Sequence, residues 1–147
     1  MKKIIAKLVM ACAANGAIAQ SMLVSIVEMN NSNNALPEFT VKSVQAKDAP
    51  LIQLSAPNIT EPVSSPTAID LRFQATAPST VNPDSFRVLY GSFEIDITKR
   101  LLNVAKVSAQ GVIVNEASLP KGKHKLLMVV EDSEGRKGSQ TVNFEVK

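Results

Sequence analysis

The 147-residue chain has one cysteine (Cys12), one histidine (His124), one tyrosine (Tyr90) and no tryptophan. A lone cysteine excludes a disulfide scaffold within the chain. The lone histidine has no local partner motif that would suggest a triad or a metal site around it. Its position at the start of an apolar strand gives it a structural role. No G-x-S-x-G elbow, no S-x-x-K at a helix start and no G-x-x-x-x-G-K run is present. A hydrolase or nucleotide-binding reading therefore lacks its motif. With no Trp and one Tyr, a sugar-stacking platform lacks its rings. Five of the six aromatics (Phe73, Phe86, Tyr90, Phe93 and Phe144, but not Phe39) fall in expected strands, where core packing explains them.

Charge excludes a further class. The formal net charge is +3, yet Lys2, Lys3 and Lys7 sit at the extreme N-terminus. The remaining 13 basic residues balance 13 acidic ones. A neutral body has no concentrated basic surface, so no nucleic-acid partner is expected.

What is present begins with an address. Met1-Lys2-Lys3 precedes an apolar, alanine-rich run, Ile4 to Ala19, that ends in Ala17-Ile18-Ala19. A basic start, an apolar middle and small residues at the −3 and −1 positions form a secretory signal peptide, expected over residues 1–19 with the mature chain starting at Gln20. Two rival readings share this segment. Leu8 to Val27 carries no charge and is long enough for a membrane span, although Asn15, Gly16, Gln20, Ser21 and Ser25 make it a poor one. Val9-Met10-Ala11-Cys12 resembles a lipobox with an atypical Met. Cleavage after Ala19 leaves a mature chain without cysteine.

Residues 20–49 read as a linker or weakly ordered extension. Met22 to Val27 is an apolar cluster, and Asn30-Asn31-Ser32-Asn33-Asn34 is a polar run expected to be solvated. Phe39-Thr40-Val41 is a short extended piece, either a first strand or more linker. From Pro50 onward the chain alternates strands and turns. Ile69, Leu71, Phe73 and Ala75 fall on one face, with Asp70, Arg72 and Gln74 on the other, which is the period of a half-buried strand. Leu51–Leu54, Phe86–Tyr90 and Phe93–Ile97 follow as strands, with Gly91-Ser92 as a two-residue hairpin. Thr98 to Val104 reads as a connecting turn. Val104–Ser108 and Val112–Val114 flank Ala109-Gln110-Gly111. His124–Glu131 is the most continuously apolar strand, and Val142, Phe144 and Val146 face inward from the last. About seven short strands with turn chemistry between them predict an all-β antiparallel sandwich over residues 50–147.

The second half carries a resemblance. Gly122, His124 and Leu126, then Val130, Asp132 and Gly135, then Phe144 and Val146 resemble the closing half of bacterial Ig-like domains of fibronectin-III or cadherin-like type. There a G-x-H-x-L strand leads to a V-x-D-x-x-G hairpin and an F-x-V strand. Val81 to Val88 is similar to the family's middle strand, with Asp84-Ser85 at its opening turn. The resemblance covers about two-thirds of the chain and implies an exported sandwich, often a surface module, without implying an activity. Gly122 and Gly135 suit turn positions of positive φ, and Asp84 and Asp132 suit turns that bond local N–H groups.

Two metals have partial motifs in the sequence. Pro66, Ile69, Leu71 and Phe73 match a P-x-x-I-x-L-x-F pattern of the periplasmic copper carriers, but those use several histidines and this chain has only His124. Glu131, Asp132 and Glu134, with Asp84 nearby, could offer oxygens to calcium, yet no second acidic cluster accompanies them. Lys121, Lys123 and Lys125 suit a solvated face or a protected sheet edge. No catalytic, cofactor-binding or metal-binding residue is therefore assigned, and no cofactor. The expected function is that of a non-catalytic exported interaction or structural module, periplasmic, secreted or on the cell surface. Its expected partner is another envelope or surface protein, with contact to a membrane only through an uncleaved signal segment. The alternative is a periplasmic carrier of a small ligand or metal. The loops expected to carry binding are Gly91-Ser92, Thr98 to Asn103 and Ser133 to Gly138.

Overall fold

The structure, a computed structural model, describes residues 22–35 and 44–147. The signal segment, Cys12, Gln20 and Phe39-Thr40-Val41 lie outside the described residues. Helix α1 (Ile26–Asn34) comes first, followed by strands β1 (Leu51–Ala56), β2 (Thr67–Gln74), β3 (Val81–Tyr90) and β4 (Ile95–Asp96). A short helix α2 (Thr98–Leu102) then leads to β5 (Ala105–Ser108), β6 (Gly111–Ala117), β7 (Gly122–Asp132) and β8 (Lys137–Val146). The described strands form two four-stranded sheets, ordered β1-β2-β6-β5 and β4-β3-β7-β8, and every pairing between neighbours is antiparallel. This all-β sandwich is compatible with an Ig-like arrangement.

Alternation explains the inner faces. In β2, Leu71 and Phe73 are buried while Arg72 and Gln74 are exposed. Across the sheet, Phe73 lies opposite Ile52 of β1 and Leu71 opposite Val112 of β6. Phe86, Val88 and Tyr90 of β3 and Met128 and Val130 of β7 supply the facing layer. The apolar β7 is a central strand, paired with β3 on one side and β8 on the other. Its register with β8 runs unbroken from Gly122↔Val146 to Glu131↔Lys137. The Glu131 and Lys137 side chains pair at 3.3 Å across that last rung. Gly122 and Gly135 have φ of 133° and 76°, as the turn chemistry of the sequence suggested.

Four local expectations are corrected. Strand β3 starts at Val81 rather than Phe86, because a register shift between Asn82 and Arg87 takes Pro83 out of the ladder. The Ser85 hydroxyl fills the gap, donating to Asn82 O at 2.6 Å and accepting from Glu131 N–H at 2.7 Å. The strand expected over Phe93–Ile97 shrinks to Ile95–Asp96. Its hairpin is a four-residue turn, Gly91 to Glu94, because Tyr90 pairs with Ile95. The connection after it folds into a helical turn, α2, in which the buried Thr98 hydroxyl accepts from Val88 N–H at 2.9 Å.

The largest difference concerns the segment expected to be a solvated linker. Residues 26–34, including the asparagine run, form helix α1 on the sandwich. Ser25 Oγ accepts from Glu28 N–H at 3.2 Å, and Glu28 Oε2 accepts from Ser25 N–H at 2.9 Å, closing a capping box. Leu23, Val24 and Met29 enter the core cluster, and the asparagines remain on the solvent side together with Ile26 and Val27. Leu23 N–H donates to Ser118 O at 3.0 Å, joining the segment to the end of β6.

Candidate functional site

Three segments converge at one end of the sandwich: α1, the β3–β4 turn and α2. Arg100 of α2 donates to Glu28 Oε2 at 2.8 Å and to Leu23 O at 3.4 Å, tying α2 to the start of α1. The Arg100 hydrogen bond, followed by the Ser25 N–H bond, holds the Glu28 carboxyl down at about 2. This anchor therefore stays ionised far into acid. Further along α1, the buried Ser32 side chain accepts from Ser92 N–H at 3.0 Å, and its carbonyl accepts from Ser92 Oγ at 3.2 Å. Gly91 has φ of 71°, and Ser32 packs where a β-carbon would stand, so the turn accepts only glycine there.

These contacts revise the expected binding loops. Gly91-Ser92 is covered by α1 instead of facing solvent. The residue that faces out is Phe93, 61% exposed at the tip of the turn, where the sequence suggested a core position. The Thr98–Asn103 segment places Lys99, Arg100 and Leu102 at the surface. Ile26 and Val27 of α1 are likewise exposed, at 57% and 66%.

Beside this end lies an open groove of about 500 Å³ between the end of α1 and the outer face of β7 and β8. Ser92, Lys123, Lys125, Asn143 and Glu145 line it. The lysines thus lie on the outer face of a central strand, not at a sheet edge; in register, Lys123 faces Glu145 and Lys125 faces Asn143.

His124 points the other way, into the domain, and is 3% exposed. Its Nε2 lies 2.7 Å from Pro120 O, which can only accept, so Nε2 carries the hydrogen. Nδ1 then accepts from the Tyr90 hydroxyl at 2.8 Å. The Phe144 ring stacks on the imidazole with centroids 5.4 Å apart. Burial pushes the His124 pKa below its ordinary value of 6.5, against a smaller opposing pull from Pro120 O. Burial likewise pushes the Tyr90 hydroxyl up to about 12. In the unfolded chain His124 binds its proton at a higher pH than in the fold. Stability should therefore be full above about pH 6.5 and fall as pH drops from there toward the folded value. Urea midpoints measured from about pH 7 to about pH 5 check this: a midpoint that stays flat, or a drop that persists in His124→Phe, contradicts it.

The third expected loop is a pinned turn. Asp132 Oδ1 accepts from the N–H groups of Glu134 (3.0 Å) and Arg136 (2.9 Å). Its Oδ2 accepts from Arg136 Nε at 2.7 Å and from Ser79 Oγ at 3.3 Å. Burial alone would raise the Asp132 pKa, but the Arg136 and Glu134 donors outweigh it and hold the carboxyl below its ordinary value. Of the oxygens expected for calcium, those of Asp132 thus face protein donors, and Glu131 faces Lys137. Asp84 N–H is engaged locally with Asn82 Oδ1. Among the described residues no three His, Cys, Asp or Glu side chains gather as a metal site. No described helix is long and apolar enough to cross a membrane.

Sequence reasoning missed α1 and Phe93. The signal for α1 was Ser25-x-x-Glu28 ahead of Met29, a capping-box spacing. No signal separated Phe93 from the core aromatics. Searches of protein-family models, curated proteins and solved structures return no match for this chain.

Proposed function

We propose that this chain is an exported, non-catalytic Ig-like module that acts by protein–protein contact through the end formed by α1, the β3–β4 turn and α2. The observation that carries the reading is Phe93: a large aromatic held in solvent on a turn whose backbone is locked by Gly91, Ser92 and Ser32. Exposed aromatics on rigid supports are what protein interfaces use as anchors, and a preorganised turn lowers the ordering cost of binding. Leu102 of α2 and Ile26 and Val27 of α1 are further exposed apolar side chains on these segments, and Lys99, Arg100 and the lysines of the neighbouring groove offer polar groups. The partner is another envelope or surface protein. The Ig-like family membership rests on the strand motifs from Gly122 to Val146 together with the sandwich topology.

Export rests on Lys2-Lys3, the apolar run and Ala17-Ile18-Ala19. The intact mass of the native protein should correspond to a chain beginning at Gln20. A mass that retains residues 1–19, or one carrying an acylated Cys12, contradicts it. For the surface, Phe93→Ala should weaken capture of the native partner by about 2 kcal/mol or more without changing thermal stability. Equal capture by wild type and variant would refute this end as the contact.

A further inference from the structure

A neutral overall composition hides a local excess of positive charge. His124, Met128 and Val130 of β7 and Val142 and Val146 of β8 are buried, so the odd-numbered residues between them face outward from the sheet. On that outer face Lys123 lies opposite Glu145 and Lys125 opposite Asn143, and the exposed Lys121 stands just ahead of the strand. Among the described residues none of these three lysines is in an ion pair. Two acids further along the face are engaged elsewhere: Glu131 pairs with Lys137 at 3.3 Å, and Asp96 Oδ1 accepts from Thr98 N–H at 2.8 Å. The face changes character at its next outward positions. Leu127 and Val129 follow Lys125 on β7, and Leu89 of β3 lies opposite Leu127. All three are half-buried, and none belongs to the core packing. Outward positions of an antiparallel sheet are ordinarily polar, as Gln53, Arg72, Gln74 and Lys106 are on the other sheet. Gly91 N–H donates to Lys125 O at 2.8 Å, so the turn that carries Phe93 stands beside the lysine row.

We infer that this face receives an extended segment of the partner protein in which acidic side chains at alternate positions are followed by apolar ones, the acids over Lys123 and Lys125 and the apolar side chains over Leu127, Leu89 and Val129. The inference rests on the protein-contact reading and adds the chemistry of the partner. Three features lead there. Successive outward residues of β7 lie about 6.7 Å apart, and the side chains on one face of an extended segment repeat at the same distance. Lysines without carboxylate partners favour an acidic guest and repel a basic one. The apolar row then selects among acidic guests, because a sulfated glycan or a nucleic acid would leave it uncovered. Exposed ion pairs contribute little affinity by themselves. The lysines therefore set the choice and direction of the segment, while Leu89, Leu127 and Val129 supply the burial.

Zero-length carbodiimide coupling, which joins a lysine amine to a carboxylate, tests the inference on the full chain in its native envelope, with mass spectrometry as the readout. Lys125 is the reporter because it faces Asn143, whereas Lys123 has Glu145 of its own chain opposite it. Lys125 should be joined to an Asp or Glu of another protein, with apolar residues at alternate positions beside the coupled acid. Its yield should exceed that of Lys106, on the outer face of the other sheet, by about tenfold. Lys125→Glu should lower recovery of that partner about tenfold, and Leu127→Ser about threefold or more. Two variants are used so that one misfolded protein does not decide the result. Coupling at Lys125 no greater than at Lys106 overturns the inference, as does undiminished recovery with a folded Lys125→Glu. A photoreactive probe at position 93 separates this failure from failure of the contact itself. An adduct at 93 without coupling at Lys125 overturns the acidic segment alone, and no adduct at either position overturns both. Sedimentation of the purified protein with phosphatidylglycerol vesicles, lost in Lys125→Glu, overturns the choice of a protein guest.

Discussion

Phe73→Ala is expected to cost about 3–5 kcal/mol of folding stability. Phe73 is 9% exposed, and its ring sits 5.4 Å from that of Phe86, tilted by 49°. The two rings come from β2 and β3, which belong to different sheets, so their contact is part of what holds the layers together. Truncation removes the transfer free energy of the ring and leaves a void between strands whose registers are fixed on both sides by Ile52 and the β6 ladder. Collapse into that void is therefore incomplete, and the full cavity cost remains. Equilibrium urea denaturation reads the effect. A loss below about 1 kcal/mol would mean that β2 does not turn this face inward.

Gly111→Ala should be comparably severe, at about 3 kcal/mol or more, from a position with no side chain to lose. Gly111 opens β6 opposite Arg72 with φ of 155°, a conformation that L residues rarely adopt. A β-carbon there would collide with the carbonyl of Leu71 on the neighbouring strand. That obstacle is backbone in the centre of a sheet, and it cannot swing aside as a flexible side chain would. Relief requires β2 and β6 to separate locally, which weakens the ladder around Leu71↔Val112. Alanine ordinarily stabilises a chain relative to glycine by restricting the unfolded state, so even the sign of the measured change is informative. A neutral or stabilising substitution would show that β6 does not approach β2 as described.

The strands were legible because burial on one face writes itself into the sequence with a period of two, as in Ile69-x-Leu71-x-Phe73 and Val142-x-Phe144-x-Val146. The central position of β7 was legible from the run Leu126 to Val130, since a strand flanked on both sides and covered on its inner face has little need of polar residues. Helix α1 was obscured for a physical reason: it is held by few residues. Met29 and Ser32, three apart, are its only buried positions, and asparagine elsewhere on the helix is permitted because those positions meet only water. Composition averages the segment and hides the spacing. Phe93 was misread because the strand pattern cannot tell an inward ring from one carried at the tip of a turn; only the Tyr90↔Ile95 pairing, a tertiary fact, places it outside. His124 was correctly placed at a strand start, but its bonds to Tyr90 and Pro120 depend on the approach of β3 to β7 and cannot be read from one strand alone.

The claim that this end of the sandwich is a protein-contact surface is tested most directly by site-specific photo-cross-linking in the native envelope. A photoreactive phenylalanine analogue in place of Phe93 is compared with the same probe at Glu134, on the pinned β7–β8 turn, and at Arg72, on the outer face of the other sheet. A single reproducible protein adduct is expected from position 93 and little from the other two. Adducts of equal yield from all three positions, or from Glu134 or Arg72 alone, would contradict it.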